Sequence, residues 1–356
     1  MDILNGRRGF TIIELGALIA VGGSLGVAMV PVGSKLQKAS LDTKSQWVHH
    51  DLARRQFVYM GDHAGAFSGP NSSGLEWNRI SIVPGQGAIE YWSELEGDRS
   101  SSTPTSVSDW ISPIAGDGVG LSDNRAERVQ EILDVLGDPT ASMYVDYLYY
   151  GSSGLSDLAD FKQILGNSGF RQGSFLMMRS FTHFSPEHRL SDSIDGPGAA
   201  NFQYYAVQTP GGPALSPKGY SPSVWNVGMQ LSSKVLFADG TRFYEDDFGL
   251  SLNVESEQAR YSDHTSSGPI YGNSVAYGRE SGSAPSQANT DLSFRKQGGQ
   301  GMYATMFDGS LQYLTREEAW TDPTPWYPSG SVWQGSGATP ESQAWVKKNL
   351  PGGVIH

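Results

Sequence analysis

Cysteine is absent from all 356 residues. The chain therefore takes no stability from disulfides, does no thiol chemistry and binds no metal through sulfur. Positive charge is scarce: 25 Lys and Arg stand against 37 Asp and Glu, for a formal net charge of -12. An acidic surface of this kind repels phosphate backbones, so nucleic acid is not an expected partner. Phosphate-binding loops, serine-nucleophile elbows and EF-hand loops are also missing. Charged residues make up only 17% and hydrophobic residues 38%, ordinary values for a water-soluble domain, so any membrane character has to be local. What the chain does have is 44 Gly and 19 Pro, which call for many turns and long surface loops rather than a helical bundle. Its 9 Trp, 16 Tyr and 14 Phe can supply an apolar core. The length suits a membrane segment followed by one large domain or two modest ones.

The first residues carry the most information. Residues 1–9, MDILNGRRG, are a short polar leader ending on Arg7, Arg8 and Gly9. Residues 10–32, FTIIELGALIAVGGSLGVAMVPV, are long enough for a membrane helix of about 20 residues and carry one charge, Glu14. A secretory signal peptide has a shorter apolar stretch and a small-x-small cleavage site, and VAMVPVGS is a poor match to one. A plain signal anchor explains the length but not a carboxylate near its start, which is costly in an apolar span unless it has a partner.

The segment GFTIIELGALIAV resembles the signal of type IV pilin-like proteins, the pseudopilins of type II secretion among them. The resemblance implies cleavage between Gly9 and Phe10 by a prepilin peptidase, which also methylates the new N-terminal Phe10. It further implies that Glu14 pairs with the terminal amine of a neighbouring subunit and sets the stagger between subunits. Two opposite charges in a low-dielectric setting do attract each other strongly. Pro31 falls where many pilins carry a helix-kinking proline. Gly16, Gly22, Gly23 and Gly26 depart from the Leu/Val/Ile-rich core usual in that family. They either let helices approach closely, as small residues at i and i+4 do, or allow the segment to unwind in a filament. Arg7 and Arg8 favour a cytoplasmic leader, while Lys35, Lys38 and Lys44 vote the other way, so the outward placement of the C-terminal domain follows from the resemblance alone.

Past Pro31 the helical pattern continues through Val32, Leu36, Ala39, Thr43, Trp47, Val48 and Leu52, one apolar stripe at spacings of three and four, and is expected to end near Gly61. Residues 80–83 and 88–92 read as strands around Pro84-Gly85. Residues 124–136 read as a helix with Val129, Ile132, Leu133 and Leu136 on one face. Residues 155–165 read as a second short helix and 175–181 as a buried strand. Two segments carry Asp-Gly between apolar runs, at Asp239-Gly240 and Asp308-Gly309, and both are expected to form antiparallel hairpins.

The second of these, MFDGSLQYL, followed by WYPSGSVW from Trp326, resembles the C-terminal region of large planctomycete-type pseudopilin-like proteins. That group usually carries a histidine upstream of the Asp-Gly, where Gly298 and Met229 stand here.

Candidate chemistry is sparse. His183 and His188 in THFSPEHRL have no recognised metal-ligand spacing, and Pro186 breaks any helix between them. Glu245, Asp246 and Asp247 offer oxygen ligands of the kind calcium takes, without the spacing of a standard loop. The expected architecture is α+β: a long N-terminal helix, its first half transmembrane, packed on an antiparallel head domain with long loops. The expected divisions are a leader 1–9, a membrane helix 10–32, a helical stem 33–61, a head 62–333 and a tail 334–356. The expected function, implied by the resemblance, is a structural subunit of a pilus-like or pseudopilus fibre, not an enzyme, with no cofactor and no metal. Its partners would be the prepilin peptidase/methyltransferase, other pilin or pseudopilin subunits and inner-membrane lipid, with the head outside the cytoplasm. The rival expectation is a membrane-anchored exported enzyme or carbohydrate-binding protein that shares the signal.

Overall fold

The computed structural model describes residues 12–69, 79–83, 87–91, 105, 109–116, 120–141, 144–149, 155–171, 173–188, 212–246, 249–254, 265–266 and 289–356. Residues 12–36, 79–83, 87–91, 149, 241–246, 249–251, 253, 265–266 and 289–292 are described by backbone course alone. The chain divides into two compact units, Met1–Lys44 and Ser45–His356.

The first unit is the beginning of a helix, α1, that runs from Ile12 to Asp62 and is unbroken at Pro31. Among the described residues no helix is long and apolar enough to cross a membrane, and the apolar run 10–32 lies where only backbone, or nothing, is described.

The second unit is an α+β domain. Along the chain it contains β1 (Arg79–Val83), β2 (Gly87–Tyr91), α2 (Ile111–Ala115), α3 (Arg125–Val135), β3 (Tyr147–Tyr149), α4 (Leu158–Asn167), β4 (Phe175–Met178) and α5 (Arg179–Thr182). These are followed by β5 (Ala214–Leu215), β6 (Val235–Asp246), β7 (Gly249–Asn253), β8 (Thr265–Ser266), β9 (Asn289–Leu292), β10 (Gly301–Met306), β11 (Leu311–Thr315), α6 (Arg316–Thr321), β12 (Val332–Trp333) and α7 (Pro340–Asn349). The main sheet runs β11-β10-β6-β4-β8. Its pairings are mostly antiparallel, but β4–β8 and β3–β7 are parallel, a departure from the all-antiparallel expectation. Strand β6 is the hub. Its first half pairs with β4 and β10, and its second half with β7 and β9.

The part of α1 in this unit buries Val48, Leu52, Ala53 and Met60. Their spacing is that of one helix face. Ser45, His49 and Gln56 fall on the same face and are equally buried. Trp47, which the apolar stripe of the sequence included, is 65% exposed. Successive residues differ by about 100° around a helix axis, so Val48 and Trp47 cannot share the centre of one stripe. The buried face is fixed by shape and by partners on the sheet, not by apolarity alone.

Helix α3 starts where its sequence says it should. The Asn124 side chain accepts from the N–H groups of Ala126 and Glu127, satisfying two of the free donors at the helix start. Ile132, Leu133 and Leu136 are buried. With α4, α3 encloses a smaller core of Ala126, Leu133, Val145, Leu148, Phe161 and Phe170. Arg125 closes it with a two-point ion pair to Asp157, at 2.6 and 3.0 Å, while its guanidinium lies 4.8 Å from the Phe161 ring centre.

Two expectations change. The strand read over 175–181 stops at Met178, and Arg179–Thr182 turn into a helical segment. The hairpin at Asp239-Gly240 does not form, and β6 runs straight through both residues. The reason is tertiary. The Asp239 carboxylate is held by core donors, and the Gly240 N–H donates to the Ser174 carbonyl, so the backbone stays extended. The second hairpin is as expected: β10 and β11 pair antiparallel, with Thr305 opposite Leu311. The Gly309 N–H donates to the Met306 carbonyl, and Gly309 takes φ +85°, the left-handed geometry a short hairpin loop needs. Residues 334–356 include α7 and place Val346, Leu350 and Ile355 in the main core.

Candidate functional site

Of the residues assigned to processing and assembly, Gly9 and Phe10 lie outside the described residues, and Glu14 is described only as backbone on α1. The side chains of Glu245, Asp246 and Asp247 are likewise outside. His183 is buried, and its Nδ1 hydrogen-bonds Thr182 Oγ1 at 3.0 Å. Burial and the neighbouring Arg179 charge push its pKa down to about 3, so the ring is neutral at neutral pH. His188 lies in a 3-10 turn, Pro186–His188. Among the described residues no group of three or more His, Asp or Glu is placed to hold a metal ion.

The structure instead assembles a charge cluster that pattern reading did not single out. It joins α1, β6, β10, the segment after α3 and the segment after β9. Arg295 Nε donates to Asp138 Oδ2 at 2.6 Å and its Nη2 to Asp239 Oδ1 at 3.3 Å. Lys296 Nζ donates to Asp138 Oδ2 at 2.8 Å, Thr140 Oγ1 at 3.1 Å and Ser45 Oγ at 2.5 Å. The Tyr303 N–H donates to Asp239 Oδ2 at 2.9 Å. From α1, His49 lies 3.2 Å from Asp239 Oδ1 through Nε2 and 2.8 Å from Thr305 Oγ1 through Nδ1. A carboxylate only accepts, so the Nε2 proton points to Asp239, while Nδ1 and the Thr305 hydroxyl share the second hydrogen bond. Two carboxylates thus face two cations, all nearly or fully buried. Burial alone would raise the Asp138 carboxyl, but the charges of Arg295 and Lys296 and the N–H groups of Lys296 and Thr140 hold it well below the usual carboxylate range.

A hydroxyl, an imidazole and a carboxylate in line are the parts of a hydrolytic triad. Here they cannot act as one. Thr305 is 1% exposed and His49 and Asp239 not at all, with the His49 ring packed against Phe175 and Phe237 at 4.7 and 5.4 Å. No substrate carbonyl reaches the Thr305 oxygen. The arrangement fastens α1 from Ser45 onward to the sheet at one register, because each donor finds its acceptor at only one helix position.

On the solvent side of the same helix lies a groove of about 460 Å³, lined by His50, Ala53, Arg54, Phe57 and Val58 of α1 and by Gly309 of the β10–β11 turn. Arg54 and Arg55 both donate to the Asp51 carboxylate, at 3.0 and 2.8 Å. A sequence signal for the buried cluster did exist: Ser45, His49 and Gln56 interrupt an apolar face at helical spacing. The groove left none, because its floor is made by a turn more than 200 residues away in the chain.

Comparison with known protein families, with curated proteins and with solved structures finds no match to this chain.

Proposed function

We propose that the chain is a structural subunit of a type IV pilus-like or type II secretion pseudopilus fibre, made as a precursor and cut between Gly9 and Phe10. The observation that carries the reading is the run from Gly9 to Leu15, with Glu14 as the one charge of the apolar stretch, leading into the helix Ile12–Asp62. The α+β build of the second unit supports it, as does the way Ser45 and His49 tie that helix to a sheet. In this reading the first half of α1 sits in the inner membrane as a single span, and the head lies outside the cytoplasm. After cleavage and N-methylation of Phe10, apolar helices stack, and Glu14 of one subunit pairs with the terminal amine of the next. The chain is a substrate of the prepilin peptidase and does no chemistry itself. The intact mass and N-terminal sequence of the protein from native membranes test this. A start at N-methyl-Phe10 is expected. A start at Met1, or one beyond residue 30, would overturn it.

A further inference from the structure

We draw no further inference here: the strongest candidate, the uncharged surface loop from Val224 to Leu231 that exposes Trp225 and Met229 beside the end of α1, is an apolar patch, and nothing in the structure shows what covers it.

Discussion

His49 Nε2 lies 3.2 Å from Asp239 Oδ1, and neither side chain is reached by water. One residue comes from α1 and the other from the middle of β6, so this pair measures whether helix and sheet are in register. Removing Asp239 strands the His49 and Tyr303 N–H groups and leaves Arg295 and Lys296 facing a single carboxylate. Asp239→Ala is expected to destabilise the domain by about 3–5 kcal/mol, the range for breaking a buried charged pair. Urea unfolding of variant and wild type measures it. A loss below about 1 kcal/mol, the level of an ordinary hydrogen bond, would mean that the cluster does not fix the helix.

Gln56 predicts the opposite sign. Its amide is buried on α1, and both its nitrogen and oxygen lack a hydrogen-bond partner among the described residues. A buried amide left unpaired costs about 1–3 kcal/mol. Gln56→Leu keeps the shape and removes that penalty, so the melting temperature should rise. A fall would show that the amide has a partner in solution.

Gly309 is held by geometry on two counts. Its φ is +85°, and an added Cβ would stand 2.9 Å from Phe57 Cε2. Gly309→Ala is expected to cost about 1–2 kcal/mol from backbone strain alone, with the displaced Phe57 adding to it. Differential scanning calorimetry reads the change. A neutral result would show that the turn relaxes freely and that the groove has no fixed floor.

The acid response has a defined sign. His183 is held at about 3 against an ordinary 6.5, and Asp138 is held well below 3.8. Both groups bind protons more readily unfolded, so both contribute stability that is present at neutral pH and lost as pH falls. His183 acts first, from about pH 6.5 downward, at up to about 1.4 kcal/mol per pH unit. Asp138 adds its loss below pH 3.8. Lys234, pushed down to about 8 by burial against 10.5, adds stability as pH rises from 8 toward 10.5. His183→Gln should flatten the stability profile between pH 4 and 6. An unchanged slope would show that His183 is open to protons in the folded state.

Glu14→Ala separates processing from assembly. On the proposed fibre reading, the variant is expected to be cut after Gly9, since the residues from Gly9 to Ile13 are unchanged, and to fail to build fibres. Mass spectrometry of the membrane fraction and electron microscopy of sheared material read the two steps. Normal fibres from this variant would sink the pairing assigned to Glu14.

Local signals were legible wherever local chemistry decided the outcome. Asn124 announced α3, and the Asp308-Gly309 turn announced β10–β11. Asp239-Gly240 carries the same two letters as the working turn and forms none, because Arg295, His49 and the Tyr303 N–H claim the aspartate first. Those partners come from distant parts of the chain, and no window around Asp239 contains them. Trp47 shows the same limit on a helix. Its apolarity fits the stripe, but the buried side of the helix has specific bonds for Ser45, from Lys296, and for His49, from β10. The buried polar face of α1 hinted at a cluster, but its partners Asp138, Arg295 and Lys296 left no local signal, since 157 residues separate Asp138 from Arg295.

Strand β6 also sets the order of events during synthesis. It takes hydrogen bonds from β4, before it in the chain, and from β9 and β10, which follow. Until Met306 has been made, one edge of β6 has no neighbour, and a ribosome-bound chain that ends before Gly301 carries an open, apolar strand at Val235–Ala238. Such an edge invites pairing with other chains. The amides of Val235–Ala238 that face β4 can therefore be protected before those that face β10, and pulsed amide exchange during refolding should find the β10-facing set the later of the two.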